Sequence, residues 1–211
     1  MDKIDKVFYI NLEKRTDRRA EIEEELATKF LFNKAERFVA IPYSFSCYRP
    51  GAYGCSMSHI CLFRKMILNG WETMMVFEDD AQLLTSREEI DKHINVFLED
   101  NTLDILCIGN SCGDNTPYNE LMNRCFNTQS TSCYVIKKKF VKVFLESVFK
   151  DPTESMTLSP DNPELHLKLN IIDVGWAPLQ KIHYFMMPKI RQVSQRPSYS
   201  DIEERFTSYG L

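Results

Sequence analysis

An α/β sandwich with a mainly parallel central sheet is the fold this sequence predicts. Strand-like apolar runs alternate with helical patterns through the first 150 residues, the order that yields parallel strands covered by helices. One such run, Thr73–Met74–Met75–Val76–Phe77, passes straight into Glu78–Asp79–Asp80. Three carboxylates cannot be buried unpaired inside a sheet, so they mark where that strand leaves it. In an open α/β sheet that point is the ligand-binding crevice. The length of 211 residues, with 44% hydrophobic and 27% charged content, suits one sizeable core. Residues 1–211 read as a single domain, without repeats or a dividing linker.

In chain order, Lys6–Leu12 reads as the first strand, rich in aromatic and β-branched residues. Thr16 is expected to cap a helix to about Phe30, with Ile22, Leu26 and Phe30 four apart and facing the sheet. Arg37–Ile41 is a short second strand, ended by Pro42, and residues 43–54 form a loop rich in Pro, Gly and Tyr. A helix over Ser56–Leu68 follows, stopped by Asn69–Gly70, and leads to the strand that ends in the acids. Ser86–Arg87–Glu88–Glu89 is a capping box opening a helix with Ile90, Ile94, Phe97 and Leu98 on its inner side. Leu103–Ile108 is a buried strand, stopped by Gly109–Asn110. Residues 111–126 read as a polar excursion punctuated by Gly113, Asp114, Asn115 and Pro117. Thr131–Ile136 returns as a strand, and a helix follows to about Phe149. Beyond it, Asp151–Pro163 is a loop, Asp173 caps a short helix, and His183–Met187 is a strand.

Charge and cysteine content narrow the function. A formal net charge of -4 offers no electrostatic footprint for nucleic acid. The opening Met1–Lys6 is polar, without a signal-peptide region, and no apolar run approaches the roughly 20 residues that span a bilayer. A soluble, cytoplasmic protein is therefore expected, in a bacterium or in the host cytoplasm of a virus. The seven cysteines, at 47, 55, 61, 107, 112, 125 and 133, are odd in number and contain no C-x-x-C pair. That pattern favours buried free thiols in a reducing compartment over zinc ligation.

Three further segments bear on chemistry. Adjacent carboxylates at Glu78–Asp79–Asp80 raise one another's pKa unless a cation lies between them, and a hard divalent ion holding a phosphate suits that role. The alternative is a solvated acidic turn. Around the junction of the first strand and helix, Asn11–Leu12–Glu13–Lys14–Arg15–Thr16–Asp17–Arg18–Arg19 gathers three arginines and a lysine. Helix N-termini attract anions, and arginine adds a bidentate fork for phosphate. Lys14 and Arg19 read as solvated; Arg15 and Arg18 oppose the helix dipole and need compensation, so an anion and plain solvent both remain open for them. In Gly51–Ala52–Tyr53–Gly54–Cys55–Ser56–Met57–Ser58–His59, a serine and a histidine sit side by side, but the Gly-x-Ser-x-Gly elbow of a hydrolase is missing. The glycines are expected to let a helix N-terminus approach a ligand closely. Residues 188–202 alone read as a polar C-terminal loop.

Together these segments resemble glycosyltransferase family 25, which contains the lipopolysaccharide and procollagen galactosyltransferases. Tyr9–Ile10–Asn11–Leu12 with Arg15, Asp17, Arg18 and Arg19 is similar to the family's opening "INL-x-x-R-x-D-R-R". Gly54–Cys55–Ser56–Met57–Ser58–His59 resembles its "G-C-x-x-S-H", and Val76–Phe77–Glu78–Asp79–Asp80–Ala81 its hydrophobic strand ending in "E-D-D-A". Asp104–Gly109 resembles "D-x-hydrophobic-x-L-G", while Ile172–Asp173, Pro188–Gln195 and Ser200–Asp201–Ile202 resemble the family's C-terminal segments. The likeness spans about residues 6–205; Ala52–Tyr53 depart from the usual "G-E-I-G-C" loop, which bears on acceptor preference more than on donor binding.

The resemblance implies a GT-A-type nucleotide-sugar-binding fold and an inverting hexosyltransferase that uses Mn2+ or Mg2+. UDP-galactose is the expected donor, and a glycan or hydroxylysine-type hydroxyl the acceptor. The alternatives are UDP-glucose or UDP-N-acetylglucosamine as donor, a nucleotidyltransferase, or a non-catalytic sugar-nucleotide-binding protein. It further implies Asp80 and Asp79 as metal ligands and Asp173, more weakly Asp114, as the catalytic base. Asn11, Arg15, Arg18, Ser58, His59, Glu78, Asp79 and Gln195 fall on the donor side. A homodimer is compatible with this reading.

Overall fold

Alternation along one strand organises the molecule. In β3 (Thr73–Glu78) Met74 and Val76 face one side of the sheet, and Met75 and Phe77 the other, all four fully buried. A strand buried on both faces reads as a continuous apolar run, and it needs helices above and below. The computed structural model describes residues 3–29, 34–42, 49–109, 111–148, 168–169, 171–202 and 204–207.

Beside β3 lie β1 (Lys6–Asn11) and, at the edge, β2 (Glu36–Val39), all parallel. On the other flank β10 (Cys133–Lys137) runs antiparallel between β3 and β5 (Ile105–Cys107). β11 (Phe185–Pro188) pairs parallel with β5, and the hairpin of β7 (Asn115–Pro117) and β8 (Met122–Cys125) completes the 8-stranded sheet. Apart from β10 and β8, every strand of that sheet points the same way. The α/β sandwich with a mostly parallel sheet is thus the fold observed.

One face is covered by α2 (Pro50–Asn69), α4 (Lys138–Val148) and α5 (Ile172–Trp176), through Ile60, Phe63, Met66, Phe140, Phe144 and Trp176. The other is covered by α1 (Thr16–Thr28) and α3 (Arg87–Glu99), through Ile22, Leu26, Ile90, Ile94 and Phe97. Small two-stranded ladders close the active edge. β4 (Ala81–Leu83) pairs with β12 (Val193–Gln195), and β13 (Ser198–Ser200) with β14 (Arg205–Thr207). β6 (Ser111–Cys112) pairs with β9 (Thr128–Gln129). Among the described residues no helix is long and apolar enough to cross a membrane.

Several expectations change. α2 begins at Pro50, six residues before Ser56, so Gly51 and Gly54 lie in helix rather than in a loop. The expected excursion at 111–126 contains β6, β7 and β8, and its hairpin extends the main sheet. The expected C-terminal loop contains β12 and β13, because strands of three residues are too short for alternation to show. Arg15, not Thr16, is the N-cap of α1, and it makes no side-chain cap bond. Ser86 does cap α3, accepting from the Glu89 N–H at 3.4 Å. Phe30, residues 43–48, Phe149 and the expected loop Asp151–Pro163 lie outside the described residues.

Candidate active site

The strand ends of β1 and β3, the start of α2, the turn before β10, α5 and the C-terminal ladders surround a cleft of about 980 Å³. Glu78, Asp79, Asp80, Arg18, Asp173 and Gln195 all line it. Continued alternation sorts the acids. Glu78 follows the parity of Met74 and Val76 toward α2, and Asp79 follows Met75 and Phe77 toward α1. Asp80 starts the turn to β4, where its carbonyl accepts the Arg196 N–H at 2.7 Å.

Asp79 is held rigidly. Its Oδ2 accepts from Asn11 Nδ2 at 2.7 Å and its Oδ1 from Arg18 Nη1 at 2.9 Å. Arg18 Nη1 also lies 3.3 Å from Asp80 Oδ2, while Nη2 donates to the Ser198 hydroxyl and to the Tyr199 carbonyl, the latter at 2.9 Å. Arg18 is therefore the cation that the two acids share, and it ties α1 to β13. Burial raises the Asp79 carboxyl, more than Arg18 and Asn11 lower it. Burial, together with the Glu78 and Asp79 charges, pushes Asp80 up to about 7. Asp80 Oδ1 is buried and has no hydrogen-bond partner. A carboxylate with an unpartnered oxygen in a pool of negative charge is the chemistry a hard divalent cation satisfies.

Glu78 has softer company. Its Oε1 accepts from the Thr131 hydroxyl and from Cys55 Sγ at 3.8 Å, and it lies 3.4 Å from His59 Nε2. Burial works to raise the Glu78 carboxyl, but the hydrogen bond and charge of His59 and the Thr131 hydroxyl hold it below its ordinary value. His59, fully buried, meets the Tyr134 hydroxyl at 2.7 Å through Nδ1. The Cys55 thiol is pushed well up by burial and by Glu78, Asp173 and Asp80. It is a hydrogen-bond donor here, not a nucleophile.

Also lining the cleft, Asp173 accepts the Ser130 N–H through Oδ2 at 2.7 Å and the Val174 N–H through Oδ1 at 2.9 Å. Ser130, itself on the cleft wall, has a left-handed backbone with φ 71°, a conformation costly for a residue with a Cβ and sustained here by that bond. Asp201 forms the rim, with Oδ1 2.7 Å from Lys14 Nζ and Oδ2 2.6 Å from Arg15 Nη1.

Not every expected residue reaches the cleft. Asp114 is exposed outside it, in the turn between β6 and β7, and leaves the list of candidate bases. Asn11 does not line the cleft: its amide serves Asp79 and the Arg15 carbonyl, and its Oδ1 accepts from Arg37 at 2.8 Å. Arg15 is spent on Asp17, Asp201 and the Tyr199 carbonyl. Ser58 accepts the Ile41 N–H at 2.9 Å and donates to the Gly54 carbonyl at 2.7 Å, and His59 stands behind Glu78. These four build the walls rather than the surface. Gly51 is needed for a close approach, though not to a ligand: an added Cβ would lie 2.7 Å from the Asp201 carbonyl oxygen and 2.8 Å from Ile202 Cα.

Thr131, Ser130, Tyr134 and Asp201 had no role assigned from sequence. For Thr131 and Ser130 no local signal exists, since they arrive with β10 from a distant part of the chain. Cys55 and His59 do carry one: four apart, they share a helix face.

A family model for glycosyltransferase family 25, described as an LPS biosynthesis protein, matches residues 50–157. No curated protein sequence matches the chain. Among solved structures it is similar to a mannose-1-phosphate geranyltransferase from Thermus thermophilus, with TM-score 0.47, 8% identity, and coverage of 90% of this chain and 73% of that one. It is also similar to A197 from STIV, with TM-score 0.43 and 10% identity over 90% of this chain and 81% of the other. A glycosyltransferase involved in glycosylation of the major capsid of PBCV-1 gives TM-score 0.41 and 8% identity over 87% and 92%. These are distant likenesses of backbone shape, and no activity follows from them. The family match spans more than half of the sequence and includes the start of α2, the three acids and β10. The chain belongs to glycosyltransferase family 25, and with it to the glycosyltransferases.

Proposed function

We propose that this protein transfers a hexose, galactose first, from its UDP conjugate to a hydroxyl of a glycan or hydroxylysine-type acceptor, with inversion. UDP-glucose and UDP-N-acetylglucosamine are the alternative donors, because one epimeric hydroxyl changes a single hydrogen bond. The observation that carries the reading is the single cleft lined by Asp79 and Asp80, braced by Arg18, and by Asp173.

The donor set fits a hard cation, since Asp80 offers an unpartnered buried oxygen beside a second carboxylate. When bound, Mn2+ or Mg2+ supplies neutralisation of the diphosphate leaving group. Asp80 is the leading ligand; Asp79, with both oxygens engaged, contributes more by fixing Arg18 and the turn. Arg18 adds positive charge at the diphosphate end, and Gln195, brought beside Ala81 by the β4–β12 ladder, donates to the sugar or ribose. Asp173, oriented by two backbone N–H groups, accepts the proton of the acceptor hydroxyl as it attacks the anomeric carbon.

The test is UDP release from UDP-galactose, UDP-glucose and UDP-N-acetylglucosamine with Mn2+, with and without a galactoside acceptor. Release that needs the metal and is fastest with UDP-galactose supports the reading. Pyrophosphate release from UTP and a sugar phosphate would make the protein a nucleotidyltransferase, and binding without turnover a sugar-nucleotide-binding module.

A further inference from the structure

The second carboxylate environment suggests more than positioning. We propose that Cys55, His59 and Glu78 form a binding site for a soft divalent cation of the zinc type, separate from the hard-cation site at Asp80. This goes beyond the sugar-transfer reading and does not depend on it.

Two separate features of the fold bring the donors together. Cys55 and His59 are four apart on α2 and project from one face of it. The alternation of β3 turns Glu78 toward that same face. Glu78 Oε1 lies 3.4 Å from His59 Nε2 and 3.8 Å from Cys55 Sγ, and all three donor atoms fall within 4.8 Å of one another. A tetrahedral zinc with bonds of about 2.3 Å to sulfur and about 2.0–2.1 Å to nitrogen and oxygen spaces its ligand atoms by about 3.3–3.6 Å. The observed separations need only small side-chain adjustments to reach that.

The surroundings match as well. Zinc-binding histidines almost always engage their second nitrogen in a hydrogen bond that fixes the ring, and His59 Nδ1 does so with Tyr134 at 2.7 Å. That leaves Nε2, the nitrogen facing Glu78, as the ligating atom. Cys55 and Glu78 line the cleft, so a fourth position opens toward it. Ser56, on the same cleft wall, is fully buried with its hydroxyl unpartnered. One thiolate, one imidazole and one carboxylate with an open position is a borderline-soft set, unlike the carboxylate oxygens that Asp79 and Asp80 would offer. On binding, sulfur–metal, nitrogen–metal and oxygen–metal bonds form. The thiol proton, and any proton on His59 Nε2, pass to solvent; no electron is transferred.

The probe is Co2+ titrated into the metal-free full-length protein, followed by displacement with Zn2+. The wild type should take up one Co2+ with tetrahedral visible bands and a near-ultraviolet sulfur-to-cobalt charge-transfer band, and Zn2+ should erase both. Cys55→Ser should lose the charge-transfer band, Tyr134→Phe should weaken affinity by about 10–100-fold, and Asp80→Asn should retain the full spectrum. Circular dichroism in chelator checks that each variant is folded. The wild-type spectrum stands without any variant: absence of a charge-transfer band overturns the proposal. So does a band that survives in Cys55→Ser, which would place the thiolate elsewhere, or one lost in folded Asp80→Asn.

Discussion

Glu78 and Asp79 are joined by one peptide bond and face opposite layers of the molecule. Toward α2, Glu78 meets a hydroxyl, a thiol and an imidazole, none of them a permanent charge. Toward α1, Asp79 meets a guanidinium and an amide that is itself locked by Arg37. The pleat of β3 thus turns a run of like charges into two chemistries. One side is a charge-locked anchor beside Asp80, and the other is a polarizable cluster whose occupancy can change. Clustered acids at a strand end are best read by parity before they are read as a set.

The comparison breaks most visibly at Asp80, which belongs to neither face. Asp80→Asn is expected to lower metal-dependent UDP-sugar turnover by about 10³-fold or more, the scale of losing a preorganised charge at the leaving group. It should not lower stability. Because the folded carboxyl is raised to about 7 from an ordinary 3.8, its contribution is full below 3.8 and is lost as pH rises through 7. Melting curves in chelator should therefore show the Asn variant gaining on the wild type between about pH 4 and pH 7. Undiminished turnover would remove Asp80 from the cation site.

Next in size is the anchor itself. Arg18→Met leaves two buried carboxylates without their shared cation and should cost about 3–5 kcal/mol in urea unfolding at pH 8. The matching cut on the other face, His59→Phe, strands the Tyr134 hydroxyl, removes one neighbour of Glu78 and should cost about 1–3 kcal/mol. Equal losses would mean that the two faces are not electrostatically distinct.

Gly51→Ala probes the cleft rim that both faces share. The added methyl meets backbone at Asp201 and Ile202, so it should cost about 1–3 kcal/mol and speed proteolysis within residues 198–207. Unchanged cleavage would show that the C-terminal ladder packs independently of α2.

The smallest effect is at Asp201. Burial would raise its carboxyl, but Lys14 and Arg15 outweigh that and hold it below the ordinary 3.8. Its stabilisation is present above 3.8 and is lost as pH falls through the lowered value. Amide exchange in residues 198–202, corrected for intrinsic rates, should accelerate below about pH 4 in the wild type and less so in Asp201→Asn. Identical profiles would discard the contact as a clamp.

Much of this was legible in the chain. Met74–Phe77 followed by three acids placed β3 and its exit, and Ser86 with Glu89 placed the start of α3, because both signals are local. The arginine-rich turn pointed to Arg18 but also to Arg15, and spacing alone does not separate a side chain that braces the acids from one that clamps Asp201. Asn11 looked like a donor contact and is an internal strut. Asp114 was the weaker candidate for the base, yet it lies exposed outside the cleft, just before the hairpin that extends the sheet.

By itself the sequence determined the layered architecture, the acidic strand end and the family, since each rests on periodicity or on motifs within a few residues. Only the tertiary structure decided who meets those acids. Arg18 crosses from α1, Thr131 from the turn before β10 and His59 from α2, and none of these meetings is encoded in local spacing. They depend on sheet order and register, above all on an antiparallel β10 set between β3 and β5, which brings residues 130–132 to the end of a strand more than fifty positions earlier.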